Sequence, residues 1–305
     1  MSLKMTPVDC YERTLCMLGM STRSIAQWVV IFVMGICIVL LFRMYQVHRL
    51  SVQFPSTPIT LFHEADSILD TCDERACILF DIDNTLIAIP PLLQQSYSGY
   101  SSMTLPTVLS IMTRFPSLII PRNRILLRSS IFYHANYQLL DVAVVSICDS
   151  LKARGCTVLG LSRIESGKYG IIPSLCTWKA SLLQQLGIHF SLKYPNTVFD
   201  TLPRYEDRYP ILYEGILCTN TLEKGIVFEA FLDKFRVQPS RIIFFDDEVE
   251  NLYSVAAVCK KRGISYHLFR CMAYSMLPKL SVANSVSCIE DEMTFFHTVS
   301  SSING

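Results

Sequence analysis

The chain lacks a net charge of either sign, with 27 Lys and Arg against 26 Asp and Glu in 305 residues. That balance gives no electrostatic reason to expect nucleic acid as a partner and turns attention to a small molecule. It also lacks any C-x-x-C pair among its 12 cysteines, which removes a zinc ribbon or a thioredoxin-like site. Nine of the cysteines follow residue 50, an odd number that argues against a fully paired disulfide framework and reads most of them as small buried hydrophobes. There is no P-loop, no nucleophile elbow and no internal repeat. Half the residues are apolar, enough for a substantial core, although one N-terminal segment supplies part of that share.

That segment is Ile25 to Phe42, eighteen residues in which Gln27 alone is plainly polar and none is charged. The length just suffices to span a bilayer as a helix. Trp28 at one end, with Arg43 and Tyr45 at the other, suits the membrane interfaces. No small-x-small site follows Phe42 and the polar tail 1–24 is long for a signal peptide, so the segment reads as an uncleaved anchor. A tail carrying Lys4, Arg13 and Arg23 is most simply kept inside, which places the following domain on the extracytoplasmic side. Arg43 and Arg49 on the other flank balance Arg13 and Arg23, and nine downstream cysteines count against an oxidising compartment.

After a linker at 43–70, the domain at 71–272 opens on Ala76-Cys77-Ile78-Leu79-Phe80, an apolar run that stops at Asp81 and Asp83. A parallel strand buried on both faces reads as such a run, and ligands sit beyond the carboxyl ends of such strands. Residues 88–141 read as an inserted cap, with Arg122, Arg124 and Arg128 as possible contacts for an anionic substrate. Val142 to Arg154 has helical spacing, Thr157 to Ser162 reads as a strand, and Trp178 to Leu186 as a helix stopped by Gly187. A smaller insertion at 191–210 precedes Ile211 to Cys218, read as one strand. Lys224 stands at the start of a helix over Ile226 to Phe235. Arg241 to Asp247 is a second apolar strand ending in two acids, followed by a helix that contains Asn251 and ends at Gly263. Ile264 to Phe269 reads as the last strand, before a tail at 273–305. This alternation implies an α/β fold with a mainly parallel sheet flanked by helices. His134 and His189 stand in apolar sequence and read as core or cap histidines rather than ligands.

Four motifs thus fall at strand ends or helix starts: DIDNT with Asp81 and Asp83, VLGLS ending in Ser162, Lys224-Gly225, and IIFFDD ending in Asp246 and Asp247. Their order and setting over residues 74–271 resemble the haloacid dehalogenase-like superfamily. The resemblance is nearest to a bacterial branch with a GIL-x-T, KG and IIFxDD pattern, known mostly as a domain of unknown function. It implies a Rossmann-like fold and a phosphatase acting on a small phosphorylated substrate. Asp81 would be the nucleophile that forms an acyl phosphate, and Asp83, two residues on, the acid and base for leaving oxygen and water. Ser162 and Lys224 would bind phosphoryl oxygens. An all-oxygen set favours Mg2+, held by Asp81, the Asp83 carbonyl, Asp246 and Asp247. The second acid separates the chain from dehalogenases, and a single apolar span separates it from ATP-driven pumps. A catalytically silent membrane interaction protein and a phosphotransferase are the alternatives.

Overall fold

Five successive residues without polar alternation, Ala76–Phe80, form β2 and are buried on both faces, as a central parallel strand must be. The computed structural model describes residues 22–88 and 121–277. Most of the expected cap, the ends of the chain and the tail beyond residue 277 therefore lie outside the described residues.

The chain divides into two compact units, one ending at Gln53 and one beginning at Phe54. The first contains α1, Thr22–Gln53, a 32-residue helix. Its described large side chains, Val30 to Phe42, are exposed, Phe32 at 70 %. Among the described residues no helix is long and apolar enough to cross a membrane. The segment expected as an anchor, 25–42, includes side chains that lie outside the described residues.

The second unit is built on an eight-stranded sheet in the order β1-β10-β9-β2-β5-β8-β7-β6. In chain order these strands are β1 (Thr57–Ile59), β2, β5 (Thr157–Ser162), β6 (Thr197–Val198), β7 (Ile211–Tyr213), β8 (Ile216–Cys218), β9 (Arg241–Asp246) and β10 (Ser265–Cys271). Every neighbouring pair from β1 to β8 is parallel, and β7 and β6 add an antiparallel edge. A separate two-stranded ladder joins β3 (Ile87–Ala88) to β4 (Gln138–Leu139). The helices are the short α2 (Asp66–Leu69), then α3 (Pro121–His134), α4 (Ala143–Ala153), α5 (Leu175–Gln185), α6 (Lys224–Lys234) and α7 (Val249–Arg262). They flank the sheet, with α4 against β5, α5 against β8 and α7 against β9 and β10.

At the middle of the sheet the register places Phe80 beside Phe245 and Phe245 beside Phe269. Their rings stack at 4.9 Å in both pairs, and Phe62 meets Phe80 edge-on at 5.6 Å. This ladder ends one residue before Asp81 and Asp246, so the best-packed layer of the core locates both acids.

The run Ile211 to Cys218 is a hairpin rather than one strand. Glu214 and Gly215 have φ of 48° and 77°, the pair of positive values a two-residue turn of type I′ requires. The expected linker also carries more structure: α1 continues to Gln53, and the next residues supply β1, with Phe62, Ala65 and Leu69 buried in the core. α5 starts three residues before Trp178, where the Ser174 hydroxyl accepts a hydrogen bond from the Thr177 N–H. Cys176 and Cys218 are joined in a disulfide between α5 and β8, while Cys72, Cys77, Cys148, Cys156, Cys259 and Cys271 are free and buried. His134 and His189 are both exposed, so neither is a core histidine; His134 lies within the range read as the cap.

Candidate active site

Where β2 ends, the Asp81 N–H still donates to the Phe245 carbonyl at 2.8 Å, which carries the ladder one residue further and holds Asp81 over β9. The chain then turns sharply. Asn84 takes a φ of 66°, and the Leu86 and Ile87 N–H groups return to the Ile82 carbonyl. Asn tolerates that left-handed conformation better than most residues, which is why the turn can follow directly on the second acid.

Lys224 is the first residue of α6 and is fully buried. Its ammonium donates to Asp246 Oδ2 at 2.7 Å and to Asp81 Oδ1. Asp246 Oδ1 accepts from the Glu248 N–H at 2.8 Å and from Asn251 Nδ2 at 3.1 Å. Carboxylate oxygens of Asp81, Asp246 and Asp247 lie within 4.8 Å of one another. Ser162 closes β5, the strand next to β2, and its hydroxyl accepts from the Ile164 N–H at 3.3 Å.

Three carboxylates and one ammonium leave this cluster short of positive charge. Burial pushes the Asp81 carboxyl well up from the ordinary value, the charges of Asp246 and Asp247 add to the rise, and Lys224 opposes it. Burial with the neighbouring Asp246 raises Asp247 to about 7. Burial works against the Lys224 charge, but Asp246 and Asp81 outweigh it and hold the ammonium protonated. The cluster therefore retains a proton or takes up a cation. Mg2+ fits the donors: all are oxygens, and the buried Asn251 Oδ1 beside Asp246 has no hydrogen-bond partner among the described residues.

Asp83 stands apart from these three. Its Oδ1 accepts from Lys179 Nζ at 2.6 Å, and both residues line a cavity of about 200 Å³ with Arg128, Arg163, Glu165 and Trp178. The two acids of DIDNT thus serve different neighbourhoods. Of the three arginines expected to greet substrate, Arg128 lines this cavity, whereas the side chains of Arg122 and Arg124 lie outside the described residues. Lys179 was not among the residues singled out from the sequence. Its signal is a lysine inside the buried stripe Leu175, Cys176, Ala180 and Leu183 of α5, visible once the helix is started at Leu175.

An uncharacterized protein of Rickettsia prowazekii (strain Madrid E) is 23% identical to this chain over 239 residues, covering 76% of this chain and 81% of that protein. A protein of Chlamydia muridarum (strain MoPn / Nigg), named as a candidate outer membrane protein, is 29% identical over 92 residues, or 30% of this chain and 34% of the relative. Among solved structures, the class C acid phosphatase from Bacillus anthracis aligns over 81% of this chain and 87% of its own, at 12% identity and a TM-score of 0.32. A family model matches residues 58–284, from the edge strand β1 past the last described residue, and the chain belongs to the family it describes, "Protein of unknown function (DUF2608)".

Proposed function

We propose that the protein is a membrane-anchored, Mg2+-dependent phosphatase of the haloacid dehalogenase-like kind, hydrolysing a small phosphate monoester through an aspartyl phosphate. The observation that carries the reading is the division of the carboxylates into two environments. Asp81, Asp246 and Asp247 converge on Lys224, while Asp83 lies against Lys179 at the edge of a cavity. Carboxylates held in different surroundings can take different roles in one reaction.

In this reading Asp81 attacks phosphorus and Asp83 protonates the departing ester oxygen. Asp83 then takes a proton from the water that opens the phospho-aspartate. Lys224 offers its ammonium and Ser162 its hydroxyl to the phosphoryl oxygens, offsetting charge where it develops. Asp81, Asp246 and Asp247, with the Asp83 carbonyl, would hold Mg2+, which supplies neutralising charge to the phosphoryl group. The buried strand ends keep these groups in place before substrate arrives.

The anchor reading rests on residues 25–42 and on the exposure of the described apolar side chains from Val30 to Phe42 of α1. A helix apolar on all sides needs an apolar surround. The domain is assigned to the extracytoplasmic side, where the Cys176–Cys218 disulfide persists. The test is hydrolysis of p-nitrophenyl phosphate by the full-length chain in detergent, with Mg2+ and with a chelator. Turnover that requires Mg2+ and disappears in a folded Asp81→Asn variant is expected. Turnover indifferent to either change would overturn the proposal.

A further inference from the structure

Lys179 is 1% exposed, and its ammonium is met by a carboxylate on one side and two aromatic rings on others. Nζ lies 5.1 Å from the centroid of Trp178 and 5.6 Å from that of Tyr137, while Asp83 Oδ1 is at 2.6 Å. Burying an ammonium is costly unless its partners are well placed, so a lysine in the apolar stripe of α5 calls for an explanation. Packing does not supply one, because Leu or Met would fill the same stripe without a charge.

What Lys179 does is visible in Asp83. That side chain precedes a turn, is 20% exposed, and lines the cavity of about 200 Å³, where a free carboxylate would rotate among several positions. The lysine takes Oδ1 and leaves Oδ2 for the reacting oxygen. The cavity walls include Phe132, Tyr169 and Trp178, and Arg128 adds a positive charge.

We infer that Lys179 is the positioning residue that aims Asp83 at the leaving-group oxygen, and that the cavity between α5 and α3 receives a small leaving group. The inference rests on the phosphatase reading. In the first half-reaction the bond from an Asp81 oxygen to phosphorus forms as the ester P–O bond breaks, and the Asp83 proton goes to the departing oxygen. In the second, the water oxygen bonds to phosphorus, the Asp81–phosphorus bond breaks, and Asp83 recovers a proton from that water. Lys179 gains and loses nothing in either step.

The experiment compares the full-length wild type with Lys179→Met, Asp83→Asn and the double variant, in Mg2+, on glycerol phosphate and on p-nitrophenyl phosphate. An alkoxide leaves only with a proton, whereas p-nitrophenolate leaves with little help, so misplacing the acid must weigh on the first substrate. Lys179→Met is expected to lower kcat about 100-fold for glycerol phosphate and about tenfold for the aryl ester, with KM within about threefold. In the Asp83→Asn background the same substitution is expected to have no further effect on kcat. The double variant leaves neither partner as a lone charge and covers the case in which Lys179→Met fails to fold. Equal losses on both substrates, a loss confined to KM, or additive effects in the double variant would overturn the inference while the phosphatase reading stands. A wild type without Mg2+-dependent turnover would remove both.

Discussion

Asp247 makes the acidic cluster measurable without any substrate. Its carboxyl is held at about 7 against an ordinary 3.8, so the folded chain binds that proton more tightly than the unfolded chain does. Stability from this source is complete below about pH 4 and is lost as pH rises through about 7. At about 1.4 kcal/mol per pH unit between those values, the metal-free domain loses on the order of 2 to 4 kcal/mol, the lower figure allowing for the partial contact of Asp247 with water. Mg2+ binds the unprotonated cluster and opposes that loss. Free Mg2+ at about 100 times its Kd adds about 2.7 kcal/mol, or about 5–10 °C in Tm for a domain of this size. The assay is thermal unfolding of the full-length chain in detergent, with Mg2+ and with chelator, near pH 7.5 and near pH 5. The difference between the two additions at each pH cancels every contribution that is not linked to metal. A large shift at the higher pH and a small one at the lower is expected, because protons compete with the cation. Equal shifts at both pH values, no shift near pH 7.5, or an undiminished shift in Asp247→Asn would refute the reasoning.

Asp83→Asn is expected to trap phospho-Asp81 when an activated aryl phosphate is supplied, since neither protonation of the leaving group nor activation of water remains; intact-mass measurement after an acid quench reads the adduct. Gly225→Ala is expected to destabilise the domain by about 1–3 kcal/mol in urea unfolding, because a Cβ there would collide with the Ser254 carbonyl where α6 meets α7. Lys224→Met is expected to cost about 3–5 kcal/mol in Mg2+-free urea unfolding, by leaving Asp81 and Asp246 buried without their ammonium, and part of that loss returns when Mg2+ is added. Alkaline phosphatase fused after residue 55 is expected to be active and a fluorescent protein at the same place dark, which reads the side of the membrane directly.

The acids at the ends of β2 and β9 were legible because buried parallel strands have no polar alternation, so the first charge marks the strand end. Lys224 and Ser162 could be placed from the same alternation of strand and helix. The hairpin at β7 and β8 was hidden because its turn uses Glu214 with a positive φ, a conformation that composition does not announce for glutamate. The Cys176–Cys218 pair was hidden too, since it joins elements 42 residues apart and spacing carries no information about such contacts. Lys179 escaped for a third reason. A helix boundary set at Trp178 left too few turns to reveal that the lysine shares a face with buried residues.

The order of the strands sets a condition on synthesis. Among the described residues β1, the first strand of the sheet to be made, pairs only with β10, the last, through Thr57 to Phe269 and its neighbours. β2 likewise waits for β5 on one side and β9 on the other. During vectorial emergence of the chain, β1 has no place in the sheet until residue 271 is available, and closure by so distant a pairing is slow. A chain halted ahead of β10 leaves β9 as an open edge and β1 without a neighbour, so the growing domain depends through most of its synthesis on whatever shields unpaired strands.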